Sequence, residues 1–142
     1  YGRTYSEGKL PGPEGYKWRS SEFEDIANAQ NLLEDQMAEN SNGLVICDTD
    51  AFATSVWHER YMQSRSKQVE EIASRRDHFL YIVTGDEIPW VNDGTRDGEH
   101  IRHWMHERFI QRLTEDNKKY IVVTGSPAER LQTAITAINQ IT

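Results

Sequence analysis

"GLVICDTDAF", residues 43 to 52, is the stretch that decides the fold of this chain. Leu44 to Cys47 make a short, continuous apolar run of the kind that forms a strand covered on both faces. Two carboxylates, Asp48 and Asp50, follow it one residue apart. Such groups at the end of an apolar strand are costly unless paired or used, so the pair asks for a metal ion, a proton-transfer task or a salt bridge. Two more runs of the same type lie downstream, FLYIV at 79 to 83 and YIVVT at 120 to 124, leading into VTGD and VTGS as the first leads into CDTD.

Helical spacing fills the intervals. Ser21 with Glu24 predicts a capping box, after which Phe23, Ile26, Leu33 and Met37 recur on one stripe, with Gln30 as an odd amide among them. That helix is expected to stop near NSNG, residues 40 to 43, with Gly43 as its cap. Residues 53 to 77 carry one or two helices, and 98 to 116 another, with Ile101, Trp104, Met105, Phe109 and Leu113 on one side. The last helix has Ser126 as cap, Pro127 at its first position and Glu129 completing the box; Leu131, Ala134, Ile135 and Ile138 form its expected buried stripe. Alternating strands and helices imply an α/β fold, a parallel sheet with helices on both faces and right-handed crossovers. Ligands then bind beyond the carboxyl ends of the strands, which is where Asp48 and Asp50 fall.

The 142 residues fit a single domain, 1 to 142, with a real core. Charged residues are 27% and the net charge is −7, which argues against a nucleic-acid-coating protein, and no stretch is apolar enough to span a membrane. The single cysteine, Cys47, excludes an internal disulfide and points to a reducing, cytoplasmic compartment. A glycine- and proline-bearing segment at 6 to 19 reads as a loop, and a first residue Tyr1 in place of Met reads as a processed, truncated or partial product. Oligomeric state is not legible.

Several constellations carry possible chemistry. Asp48 or Asp50 could hold magnesium beside a nucleotide phosphate, as a Walker B position does; the plainer reading is an Asp capping the helix that begins near Phe52. The segment 86 to 102, DEIPWVNDGTRDGEHIR, has the make-up of a lid whose Arg96 and Arg102 could reach phosphates; a plain surface loop is its alternative. His100, His103 and His106 share a helix face and read as solvated side chains before a zinc site. Gln30 can satisfy itself in the core or read a substrate amide. Trp57 and Trp104 read as packing, whereas Trp90, in the loop, is a candidate substrate contact.

With YGR at 1 to 3, IANAQ at 26 to 30, ICDTDAFATSVW at 46 to 57 and PWVNDGTRD at 89 to 97, the sequence resembles the ribosylnicotinamide kinase domain of NadR-type proteins over nearly its whole length. The resemblance implies a P-loop kinase fold that transfers the γ-phosphoryl group of ATP to the 5′-hydroxyl of nicotinamide riboside, with Mg2+, in NAD salvage. It assigns Asp48 and Asp50 to magnesium or substrate-hydroxyl roles, Arg96 to the Asp-Gly-x-Arg lid and Arg3 to the Tyr-Gly-Arg element. Arg102 is the second lid arginine, on a lid shorter than the family usually has. One departure is large: G-x-x-x-x-G-K-[ST] occurs nowhere in the chain, and the family carries it just upstream of the point matching Tyr1. The expectation is therefore a carboxyl-terminal part of a kinase domain, inactive alone, because the phosphates lack their cradle. NadR-type chains also commonly carry an adenylyltransferase domain further upstream.

Two other readings stay open. A haloacid-dehalogenase-type phosphatase also uses an Asp-x-Asp after an apolar strand, but it wants Thr or Val where Phe52 stands and a Lys that is absent between Thr84 and Asp93. A non-catalytic nucleotide-binding module would use Asp48 without turnover.

Overall fold

The computed structural model describes residues 16–89 and 99–141. By internal contact the chain forms two compact units, dividing between Asp77 and His78.

The first unit is helical. Helix α1 spans Ser20–Glu39, α2 Ala51–Met62 and α3 Lys67–Ser74. The start of α1 is two residues earlier than the Ser21–Glu24 box predicts: Arg19 is the N-cap, and the Glu22 carboxylate accepts its backbone N–H at 2.9 Å. The phenol of Tyr16 also donates to Glu22, which lies buried. Phe23, Ala27, Ala51, Val69 and Ile72 form the core, with Trp18, Trp57, Met62 and Ala73 packed against it. Trp57 is thus a packing residue. The predicted stripe of α1 holds only in its first half, since Leu33 and Met37 are exposed while Gln30, Asn31 and Glu34 are buried. The buried polar side chains of these turns are held by hydrogen bonds. The Asn31 amide donates to the Ile72 carbonyl at 3.1 Å, and Arg76 returns a bond to the Asn31 carbonyl at 2.9 Å, joining α1 to the end of α3.

Helix α2 has almost no polar face in its first two turns. Ala51, Phe52, Ala53, Thr54, Ser55, Val56 and His58 are all buried. The hydroxyls of Thr54 and Ser55 bond back to the carbonyls of Asp50 and Phe52, at 3.1 and 2.7 Å, which satisfies them without solvent. His58 meets the Ser64 carbonyl through Nδ1 at 2.8 Å and the Ser20 hydroxyl through Nε2 at 2.9 Å. A carbonyl only accepts, so Nδ1 carries a proton and donates to Ser64.

The second unit is α/β. Strand β1, Tyr81–Thr84, pairs in parallel with β2, Tyr120–Val123, with Tyr81 opposite Tyr120 and Thr84 opposite Val123. A 3-10 turn, Glu99–Ile101, leads into α4, Arg102–Glu115, which lies in the crossover between the strands; α5, Pro127–Ile141, follows β2. Parallel strands joined through a helix are the βαβ arrangement the sequence predicts.

Three expectations are corrected. Leu44 to Cys47 form no strand among the described residues, and Leu44 and Ile46 are exposed. An apolar run becomes a strand only when a neighbour completes its hydrogen-bond ladder. The strands are not covered on both faces: burial alternates along β1, and Ile82 and Val122 are exposed. The stripe of α5 is not buried either, with Leu131 and Ile135 exposed. A two-stranded sheet offers too little surface to cover a four-turn helix.

Candidate functional site

Asp48, Thr49 and Asp50 form a turn at the entrance to α2. Asp50 is the N-cap, with extended backbone, and its Oδ1 accepts the Ala53 N–H at 2.8 Å. Its carbonyl accepts from the N–H and the hydroxyl of Thr54, both at 3.1 Å. The helix-capping reading therefore describes what Asp50 does in the fold, and its side chain is buried. Asp48 is exposed. The two carboxylates thus divide: one anchors the turn, and the other faces outward as a hard oxygen donor.

Thr49, between them, has φ +66°. The left-handed region is unfavourable for a β-branched residue, and such a conformation persists only where its surroundings hold it. Gln30 supplies part of the hold. Its Nε2 donates to the Thr49 carbonyl at 3.2 Å and to Glu34 Oε1 at 3.4 Å. Glu34 Oε2 lies 3.9 Å from the Arg76 guanidinium, which also pairs with Asp35 at 2.5 Å. A chain of polar contacts, Arg76 to Glu34 to Gln30 to Thr49, runs beneath the turn. Cys47 joins it: burial, then the negative charges of Glu34 and Asp50 and a hydrogen bond to Glu34, push the thiol above its ordinary range, with Arg76 opposing.

In the second unit, the carboxyl ends of the strands are occupied by side chains of the chain itself. Glu87 Oε1 accepts the Gly125 N–H at 2.9 Å. Gly125 has φ +87°, and a Cβ there would lie 2.6 Å from Glu129 Oε2, so glycine is required. Ser126 and Glu129 form the predicted reciprocal cap, at 2.7 Å from the Ser126 N–H and 3.3 Å from the Glu129 N–H. The Ser126 backbone N–H, then its hydroxyl, hold the Glu129 carboxyl below the usual range. Arg102 donates to the carbonyls of Asp86, at 2.8 Å, and Ile88, so its guanidinium grips the start of the loop. His103 Nδ1 is 2.7 Å from Asp86 Oδ2, and its Nε2 is 3.2 Å from Glu107. His100 is exposed and His106 half-buried; Trp104 is exposed.

Of the residues singled out by sequence, Asp48, Asp50 and Gln30 come together. Arg102 belongs to the second unit, while Arg3, Trp90 and Arg96 lie outside the described residues. Sequence reading missed Thr49, Glu34 and Arg76. Glu34 stands one turn after Gln30 on the same stripe, so a second polar residue in register was the available signal; Arg76, remote in sequence, had none.

Among family models, one described as "AAA domain" matches residues 1–130. No curated protein and no solved structure matches the chain.

Proposed function

The chain belongs to the AAA domain family, a P-loop NTPase type, and from that premise we propose that it is part of an ATP-dependent phosphotransferase whose acceptor is a nucleoside, nicotinamide riboside first among candidates. Membership of that family supports nucleotide binding; the kinase activity and the acceptor rest on the resemblance of ICDTDAFATSVW and PWVNDGTRD to ribosylnicotinamide kinases. The observation that carries it is the pairing of that match with the Asp48–Thr49–Asp50 turn, which sets one carboxylate outward at the mouth of a buried helix. We place residues 1 to 142 as the carboxyl-terminal part of a P-loop nucleoside kinase domain, since G-x-x-x-x-G-K-[ST] does not occur in them. On that reading this stretch alone transfers no phosphate, and its setting is the cytoplasm; no described helix is long and apolar enough to cross a membrane.

The donor set fits magnesium, which takes one or two carboxylates and leaves its other positions to phosphates and water. Asp48 would hold it, and the ion when bound supplies charge neutralisation on the transferring group. Asp50 fixes the turn through its cap and orients the acceptor hydroxyl. Arg96 and Arg102 serve the phosphates, where a guanidinium pairs bidentately and stays charged; Arg3 and Trp90 contact the nucleoside. Catalysis on this reading is mainly positioning and electrostatics.

The test is ester formation from ATP and nicotinamide riboside by the complete natural protein, followed by phosphorus NMR. Asp48→Asn is expected to lower kcat about 100-fold while KM changes little. Unchanged turnover in that variant overturns the assignment. Release of phosphate from a phosphomonoester without ATP would favour the dehalogenase-type reading, against which stands Phe52, where that family wants Thr or Val. ATP binding with no transfer to any nucleoside would favour the non-catalytic module.

A further inference from the structure

The buried polar chain beneath the Asp48–Thr49–Asp50 turn contains an amide that the kinase reading leaves without a role of its own. Gln30 is 8% exposed, and its Nε2 is directed at the Thr49 carbonyl, 3.2 Å away, with Glu34 as its second acceptor. Thr49 is the residue whose backbone is in the left-handed region, at φ +66°. From Asp50 onward the chain is locked by the cap to Ala53 and by two bonds from Thr54. Before Thr49 the thiol of Cys47 is tied to Glu34, but none of the described hydrogen bonds falls on Asp48 itself. The direction in which Asp48 leaves the turn is therefore set by the Thr49 backbone, and the Gln30 amide is the side chain that holds its carbonyl.

We propose that Gln30 is a positioning residue: it clamps Thr49 in the left-handed conformation and thereby fixes the outward carboxylate of Asp48 for a divalent cation, instead of reading a substrate amide. This rests on the kinase reading for the cation at Asp48 and for the reaction that cation serves. The buried location explains why an amide is suited to the task. A carboxylate at position 30 would stand beside Glu34 and could not donate, whereas an apolar side chain would leave the Thr49 carbonyl without its amide donor. Glu34, itself 8% exposed, keeps the Gln30 amide oriented, and Arg76 balances the Glu34 charge.

The test uses the complete natural protein, with Mn2+ and ATP as the probe and electron paramagnetic resonance as the readout of bound metal. Gln30→Met, close in volume and without the donor, is expected to weaken Mn2+ binding about 10-fold and to lower kcat, with the KM for the nucleoside unchanged. Adding Thr49→Gly, which makes the left-handed conformation freely accessible, is expected to restore most of the Mn2+ affinity. A rise in nucleoside KM with Mn2+ affinity intact would show that Gln30 reads substrate and would overturn the clamp. So would a loss of thermal stability with no change in Mn2+ affinity and no restoration by glycine. Should Gln30→Met fail to fold, Thr49→Pro reads the same quantity from an exposed position: it fixes φ near about −65° and forbids the left-handed backbone, so it is expected to weaken Mn2+ binding, and unchanged binding overturns the clamp. Asp48→Asn separates the two ideas. If it leaves Mn2+ binding as in the natural protein, the metal role of Asp48 fails and the clamp fails with it; if it abolishes binding while the Gln30 and Thr49 variants do not move it, the clamp alone fails.

Discussion

Phe23 shows what a single side chain contributes to the first unit. It is 2% exposed, its ring lies 5.2 Å from those of Trp18 and His58, and it belongs to the core formed with Ala27, Ala51, Val69 and Ile72. Phe23→Ala removes that packing and leaves a cavity, so a loss of about 3–5 kcal/mol is expected in chemical denaturation. A polar side chain in the same unit gives a different test. Burial and the Glu34 charge raise the pKa of Cys47, so the thiolate forms later than in an open chain. The sign follows: the shift contributes stability at pH values below the unfolded thiol's pKa, and that contribution is lost as pH rises through the folded value. The pH midpoint of alkylation at Cys47 is expected above a free thiol's, and Glu34→Gln should bring it down; an unshifted midpoint in both proteins would refute the contact. At this scale the sequence shows Gln30 as an amide on an apolar stripe and Asp50 as a possible cap. It hides Thr49, because left-handed backbone is normally announced by Gly or Asn, and it hides Glu34, because a helical glutamate reads as solvated until its neighbours are known.

Elements are legible where local chemistry is sufficient and obscure where a partner is needed. The start of α5 is written in Ser126, Pro127 and Glu129, and the structure forms that cap. Ser126→Ala should cost about 1 kcal/mol, seen as reduced helicity of 127–141 by NMR shifts. The Glu129 carboxyl is held low by the Ser126 N–H, so its share is present above the ordinary carboxylate pKa and is lost as pH falls through the depressed value. Strands β1 and β2 were visible as β-branched and aromatic runs, and both exist because each supplies the other's ladder. Leu44 to Cys47 have the same composition and form no strand, since composition cannot supply a neighbour. The junction of β1 with α4 adds a pH-dependent element. The hydrogen bond to Asp86, and then the Glu107 charge, raise His103, while His103 holds the Asp86 carboxyl low. The pairing is complete between the ordinary carboxylate and imidazole values, fading below as Asp86 protonates at its depressed pKa and above as His103 loses its proton at its raised one. Imidazole proton shifts should place the His103 midpoint above 6.5, and Asp86→Asn should lower it; a midpoint indifferent to that substitution would remove the pairing.

At the scale of the whole chain, the two units differ in how completely each is filled. The first places Phe23, Ala27, Val56 and Val69 at 2% exposure or less, drawn from three helices. The second has Leu113 and Val123 as its deeply buried apolar residues among those described, and α5 contributes no buried residue. Alternation of helix and strand, and so the α/β class, was legible because it depends on local period; how much surface each element covers was not, because that depends on what packs over it. Amide exchange reads this difference directly, since protection follows the free energy of the opening that exposes each N–H. Amides of α2 from Thr54 to His58, enclosed by α1 and α3, are expected to exchange only in large openings of their unit. Amides of α5 from Arg130 to Ile138 are expected to exchange at least 100-fold faster, through local fraying of a helix with an exposed stripe. Equal protection in the two helices would mean that Leu131 and Ile135 are covered in solution, and would refute the contrast.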